Sequence, residues 1–218
     1  MDTPDSRCGA FCAALAEHPE LELHGLVALR GGATVFEHYH RPYRREDRAL
    51  VYSVSKTFTA TAVGLAVGEG RLKLSDRVAD LLAESAPAPL DPRVSELTVH
   101  HLLSMSTGHT EDTLPGITEA PPQEWTARFL GLPPQAPVGS LHVYNNGASF
   151  LLGELVRRST GADLLEYLGP RVLAPLGIDA TWDRDGLGRC LGWSGLHADV
   201  RALAAIGELY RCDGVWQG

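Results

Sequence analysis

A seventeen-residue apolar stripe, Ser53 to Glu69, constrains this chain more than any other segment. Val54, Phe58, Ala62, Leu65 and Ala66 recur at helical spacing, and Gly70 closes the run. Val51-Tyr52 before it reads as extended. A helix that starts straight out of an extended segment holds its first turn in a fixed place. That turn carries Ser53-Val54-Ser55-Lys56. Residues three apart share a helix face, so Lys56 points the same way as Ser53. A serine hydroxyl is a poor nucleophile near neutral pH and needs a neighbouring base. A helix start also favours developing negative charge. A second helix start carries Tyr144-Asn145-Asn146, ahead of the stripe Ala148, Leu151, Leu152, Leu155 and Val156, with Gly161 at its end.

Each residue has a structural reading beside the chemical one. Ser53 is an N-cap or an acyl-accepting nucleophile. Lys56 is a solvated helix lysine or a base beside Ser53. Tyr144 is a packed aromatic or a proton shuttle. Asn146 is an N-cap, a contact for a substrate amide, or both. Their setting at two helix starts favours the chemical reading.

Six segments in order resemble the serine β-lactamases, penicillin-binding proteins and their esterase relatives, in particular the class C-like branch. They are Tyr52 to Ala60, Glu69 to Val78, Thr98 to His109, Tyr144-Asn145-Asn146 with Leu151-Leu152-Gly153, Leu173 to Ile178, and Gly195 to Tyr210. The resemblance implies an α+β, β-lactamase/transpeptidase-like fold in which a helical region lies beside an antiparallel sheet. It implies Ser53, Lys56 and Tyr144 as catalytic residues and Asn146 as a substrate contact, with no cofactor and no metal. It implies a serine hydrolase that forms an acyl-enzyme on a small-molecule ester, amide or peptide: an esterase, D-amino peptidase or β-lactam-type substrate. The family's third cleft element is a Gly-containing strand expected beyond Asp213-Gly214-Val215-Trp216-Gln217-Gly218. Ser106-Thr107-Gly108 and Trp193-Ser194-Gly195 belong to other segments and are not substitutes for it. The expectation is therefore a single truncated domain over 1–218, with the last sheet strands absent: 1–52 an N-terminal helix and two strands, 53–218 mainly helical. The alternative function is a non-catalytic remnant or assembly module of the same fold.

The pattern predicts a helix at Arg7–Ala16, strands at Gly25–Arg30 and Ala33–His40, and helices at Ser53–Glu69, Asp76–Glu84, Val99–Ser106, Gln123–Leu130, Gly147–Thr160, Leu164–Leu168 and Val200–Arg211. Asp199 reads as the cap of the last. Thr110 to Gln123 is Pro-rich and acidic and is expected to be irregular. Two strands alone make a marginal sheet. Dimerisation, a partner chain or a longer parent chain would each cover it.

A net charge of −8 argues against a nucleic-acid surface and suggests no anionic-membrane partner. The polar, acidic N-terminus has no signal-peptide pattern and no apolar run spans a bilayer, so the expected location is cytoplasmic. Cys8, Cys12, Cys190 and Cys212 lack zinc spacing and read as free thiols. His38 with His40, and His100 with His101, lack a third ligand and read as surface or packing residues.

Overall fold

The computed structural model describes residues 4–216. In chain order the elements are α1 (Pro4–Ala16), β1 (Gly25–Arg30), β2 (Ala33–Tyr39), β3 (Ala49–Leu50), α2 (Ser55–Gly68), α3 (Val78–Leu81), α4 (Val99–Leu103), α5 (Leu114–Thr118), α6 (Trp125–Leu130), α7 (Asn146–Thr160), α8 (Leu164–Leu168), β4 (Thr181–Trp182), β5 (Leu196–Ala198) and α9 (Val200–Arg211). They divide between two compact units: residues 51–170 with 182–196, and residues 1–50 with 171–181 and 197–218.

The larger unit is helical and is built around α7, which packs on α2, α4, α5 and α8. Every residue from Gly147 to Val156 is buried. The Asn145 side chain caps the helix by accepting from Ala148 N at 3.0 Å, and Gly161, at φ 79°, ends it. Phe58, Leu102, Phe129, Leu151, Leu155 and Leu164 fill the core around it. Burying a side chain of this kind contributes about 1.5–3 kcal/mol. Reciprocal capping boxes start α4 (Thr98 with His101) and α8 (Asp163 with Glu166). His101, read as a surface or packing residue, thus serves as a capping residue.

In the smaller unit β1 and β2 form an antiparallel hairpin, with Arg30 paired to Ala33 and Gly25 to Tyr39. The turn uses Gly31 and Gly32 at φ 56° and 81°, values that favour glycine. α1 packs on β2 and α9 on β1. β3 pairs with β5 through Ala49–Ala198 and Leu50–His197. Asp199 caps α9 as expected, accepting from Ala202 N at 2.7 Å.

Several expectations need correction. The second strand ends at Tyr39, so His40 lies outside it. The helices expected over Asp76–Glu84 and Val99–Ser106 shrink to Val78–Leu81 and Val99–Leu103. The segment expected to be irregular contains α5: Pro115 stands in its first turn, where a missing N–H costs nothing. The short strands β3, β4 and β5 were too brief to show a period of two. All four cysteines are free. No helix among the described residues is long and apolar enough to cross a membrane.

Candidate active site

Ser53 does not cap a helix with its side chain. It sits in a 3₁₀ turn, Tyr52–Val54, that feeds α2, whose N-cap position is Val54. Tyr52 before it is held at φ 46°, an uncommon conformation for a non-glycine residue that costs on the order of 1–3 kcal/mol. Neighbouring bonds hold it there. The buried Ser55 hydroxyl donates to Tyr52 O at 2.5 Å and accepts from Leu196 N at 3.1 Å, while Val51 N donates to Leu196 O at 2.9 Å. Ser53 itself is exposed.

Lys56 and Tyr144 converge on Ser53. Lys56 Nζ donates to Ser53 Oγ at 3.2 Å, and the Tyr144 hydroxyl donates to the same oxygen at 2.7 Å. Lys56 Nζ also lies 4.9 Å from the centre of the Tyr144 ring. The second firm contact of Lys56 is Trp193 O, at 2.6 Å. Partial burial pushes the Tyr144 phenol up, but hydrogen bonding with Lys56 and Ser53 and the Lys56 charge outweigh it. The net effect holds Tyr144 below its ordinary value, although Asp112 opposes the shift.

Trp193 is fixed by packing. Its ring meets Trp125 and Phe150 edge-on, with centroids 6.0 and 6.1 Å away. The chain just before it passes close to α7: a Cβ on Gly192 would meet Ser149 O at 2.5 Å, so only glycine fits. Thr59 Oγ1 donates to Gly192 O at 2.8 Å and ties the same segment to α2. Trp193-Ser194-Gly195 is no third cleft strand, but it supplies the carbonyl that receives Lys56.

Asn146 differs from expectation. Asn145, not Asn146, is the cap. The Asn146 side chain is held by Asp112: Nδ2 donates to Asp112 Oδ2 at 2.6 Å and the backbone N to Oδ1 at 2.8 Å. Asp112 Oδ1 also accepts from Leu114 N at 3.1 Å. Asp112 was missed because its segment was read by composition. The usable signal was an acid three residues before a proline at a helix start, Asp112-Thr113-Leu114-Pro115.

The β-lactamase family profile matches residues 16–195. The chain belongs to the beta-lactamase family. It is 27% identical over 212 residues to a 6-aminohexanoate-dimer hydrolase of Paenarthrobacter ureafaciens, a match covering 88% of this chain and 53% of that one. The chain thus spans about half the length of this curated relative. Among solved structures, an octameric penicillin-binding protein homologue from Pyrococcus abyssi superposes with a TM-score of 0.78 at 23% identity, covering 95% of this chain and 57% of that one. A β-lactamase/D-alanine carboxypeptidase from Pseudomonas syringae superposes at 0.76 and 20% identity, covering 97% of this chain and 66% of that one. At such identities the likeness shows the fold: the α+β β-lactamase/transpeptidase fold expected from the sequence.

Proposed function

We propose that this protein is a serine hydrolase that works through an acyl-enzyme on Ser53. One observation carries the reading: a single exposed hydroxyl, Ser53 Oγ, receives both the Tyr144 phenol and the Lys56 amine. A purely structural serine has no need of that pair. In this reading Tyr144, made more acidic by Lys56, takes the Ser53 proton as a phenolate. Ser53 Oγ then bonds to the carbonyl carbon of an ester or amide. The N–H of Ser53 receives the oxyanion. Tyr144 passes its proton to the departing alcohol or amine, and water later releases the acyl group by the reverse proton path. Membership of the family, and the hydrolase names of its relatives, support this class of reaction. Within it we propose a small ester, amide or peptide as substrate. We further propose that a second copy of the chain covers the half-exposed β1–β2 sheet, a reading supported by the octameric state named for one structural relative.

The test is intact-mass labelling with a fluorophosphonate and, separately, a β-lactam. The expected result is one adduct that maps to Ser53 and is absent from Ser53→Ala. An adduct that persists in Ser53→Ala, or none with either reagent, would overturn the reading in favour of a non-catalytic module.

A further inference from the structure

The amine of Lys56 rests on a stretch of backbone that side chains hold at every carbonyl. From Leu191 to Ser194 each carbonyl receives a side-chain donor. Trp182 Nε1 donates to Leu191 O at 2.7 Å and to Ser194 O at 2.8 Å, Thr59 Oγ1 to Gly192 O at 2.8 Å, and Lys56 Nζ to Trp193 O at 2.6 Å. Trp182 and Thr59 take no part in the acylation scheme. The stretch needs such ties because two glycines bracket Trp193 and Ser194: Gly192 before them, and Gly195, at φ 91°, after them. Glycine leaves a backbone free to turn.

The Trp193 ring supplies a further tie. It joins a cluster of three rings, in which Trp125 and Phe150 also meet edge-on, with centroids 5.6 Å apart. Both partners are buried and tied in turn. Trp125 Nε1 donates to Ala120 O at 2.7 Å. The Arg189 guanidinium lies 5.3 Å from the centre of the Phe150 ring and is itself bonded to Asp185 and to Pro122 O. The ring and the carbonyl of Trp193 share one Cα, so seating the ring restricts how the carbonyl turns. Lys56 has most to gain from that. Its four-carbon stem is flexible, and holding the amine in one place costs rotamer freedom. A preset acceptor settles the amine where the chemistry needs it, 3.2 Å from Ser53 Oγ and 4.9 Å from the centre of the Tyr144 ring.

We propose that the Trp193 side chain, seated edge-on against Trp125 and Phe150, aims its own backbone carbonyl and thereby positions Lys56 on Ser53 and Tyr144. Any residue at 193 offers a carbonyl; the seated ring is what fixes its direction. Trp193 is a positioning residue in this scheme, since it acts through Lys56. The catalytic meaning of the proposal rests on the acyl-enzyme reading above, which it deepens.

The experiment compares Trp193→Leu with Trp193→Phe, each with and without Lys56→Met. The first readout is the ionisation of Tyr144: the ultraviolet absorbance of phenolate against pH, less the same curve for the matching Tyr144→Phe protein. Lys56 holds this phenol below its ordinary value. In Trp193→Leu the titration should therefore move up toward the ordinary tyrosine value of about 10, and in Trp193→Phe it should return most of the way. The second readout is the rate of Ser53 labelling by a fluorophosphonate. At neutral pH it should fall about ten- to a hundredfold in Trp193→Leu, the cost of a misplaced group. With Lys56→Met already present, Trp193→Leu should add nothing to the Tyr144 shift. A Trp193→Leu protein that melts earlier but leaves the Tyr144 titration in place would show that the ring only fills the core, and the proposal would fall. An equal shift with and without Lys56 also overturns it, because Trp193 would then reach Tyr144 by another route. If Trp193→Leu does not fold, Thr59→Val frees the neighbouring carbonyl instead. It should raise the Tyr144 titration, with Thr59→Ser restoring it, and an unmoved titration again overturns the proposal. If Ser53 takes no label in the unmodified protein, the acyl-enzyme reading fails, while the Tyr144 titration still decides whether Trp193 positions Lys56.

Discussion

The two units solve the burial problem differently. In the helical unit α7 is buried along most of its length, and Phe58, Leu102 and Leu151 are wholly enclosed. In the sheet unit every residue of β1 and β2 is half-buried or exposed. A cavity of about 490 Å³ opens there, lined in part by Val27, Leu29, Ile178, Ala205 and Trp216. Ser53, Lys56, Tyr144, Asn146 and Asp112 all belong to the helical unit. A site that depends on contacts near 3 Å needs supports that do not move, and close-packed helices supply them better than an open hairpin. The strained Tyr52 is tolerable for the same reason: the Ser55 hydroxyl holds its carbonyl, and Val51, just before it, is bonded to Leu196.

The largest expected effect separates rate from stability inside the helical unit. Lys56→Met should slow acylation of Ser53 a thousandfold or more, the scale seen when one member of a nucleophile–base set is lost. Its melting temperature should change little, because the side chain is only part-buried. The residual rate should also move along the pH axis. Lys56 lowers the Tyr144 phenol, so the rate rises with pH below the ordinary tyrosine value of about 10. In Lys56→Met the rising limb should shift to higher pH. An unshifted limb would mean that Tyr144 is not the titrating base.

The second effect tests the burial contrast by truncating a phenylalanine in each unit. Phe58→Ala in α2 leaves a hole in a closed core and should cost about 3–5 kcal/mol in denaturant unfolding. Phe36→Ala in β2 starts from a half-buried ring and should cost about 1 kcal/mol. Equal losses would show that the sheet is covered in solution, for which the oligomeric state at the same concentration is the check.

The helical unit was also the more legible in sequence. Its long helices repeat at 3.6 residues over many turns, and α2, α7 and α9 fall within a few residues of the expected limits. Lys56 could be placed beside Ser53 because residues three apart share a helix face, and Tyr144 beside both only through what the family resemblance implies. What could not be read were features set by tertiary contact. Strands of two or three residues, such as β3 and β5, are too short to alternate. The carbonyl of Trp193 is a backbone group without a side-chain signature. Choosing between Asn145 and Asn146 as the cap needs backbone angles that both residues could adopt. The grip of Asp112 on Asn146 spans a separation of 34 residues, so the local pattern Asp112-Thr113-Leu114-Pro115 marks a helix start but not the partner.

The third effect uses ion pairs. Glu154 in α7 is 2% exposed and pairs with Arg157, Arg158 and, at 3.5 Å, Arg189. Burial pushes its carboxyl up, but the hydrogen bonds from Arg157 and Arg158 win and hold it below the ordinary glutamate range. A folded-state value below the unfolded one gives stability that is present above the unfolded value of about 4.3 and lost as pH falls through the folded one. Glu154→Gln should therefore cost about 2–3 kcal/mol at neutral pH and flatten the acid limb of the stability curve. An unchanged acid limb would show that the pairs do not set it.

The smallest effect is the matching pair in the sheet unit. Arg201 in α9 donates to both oxygens of Glu37 in β2, each at 2.8 Å, and Arg45 stands 3.4 Å from the same carboxylate. The hydrogen bond from Arg201 is the main cause that lowers the Glu37 carboxyl, so this pair too loses its contribution as pH falls through the folded value. Its geometry is as good as that of Glu154, but its setting is not. The Glu37 side chain is 22% exposed and that of Arg201 40%, so water and salt screen the attraction. Arg201→Ala should cost about 0.5–1 kcal/mol in low salt and less as salt is raised. Glu154→Gln should keep most of its cost across the same salt range, because the Glu154 side chain, at 2% exposed, is itself shut off from water. Chemical unfolding of both variants at several salt concentrations separates the cases. If Arg201→Ala costs as much as Glu154→Gln and resists salt equally, the sheet face is covered in solution, and the difference in burial between the units belongs to the isolated chain alone.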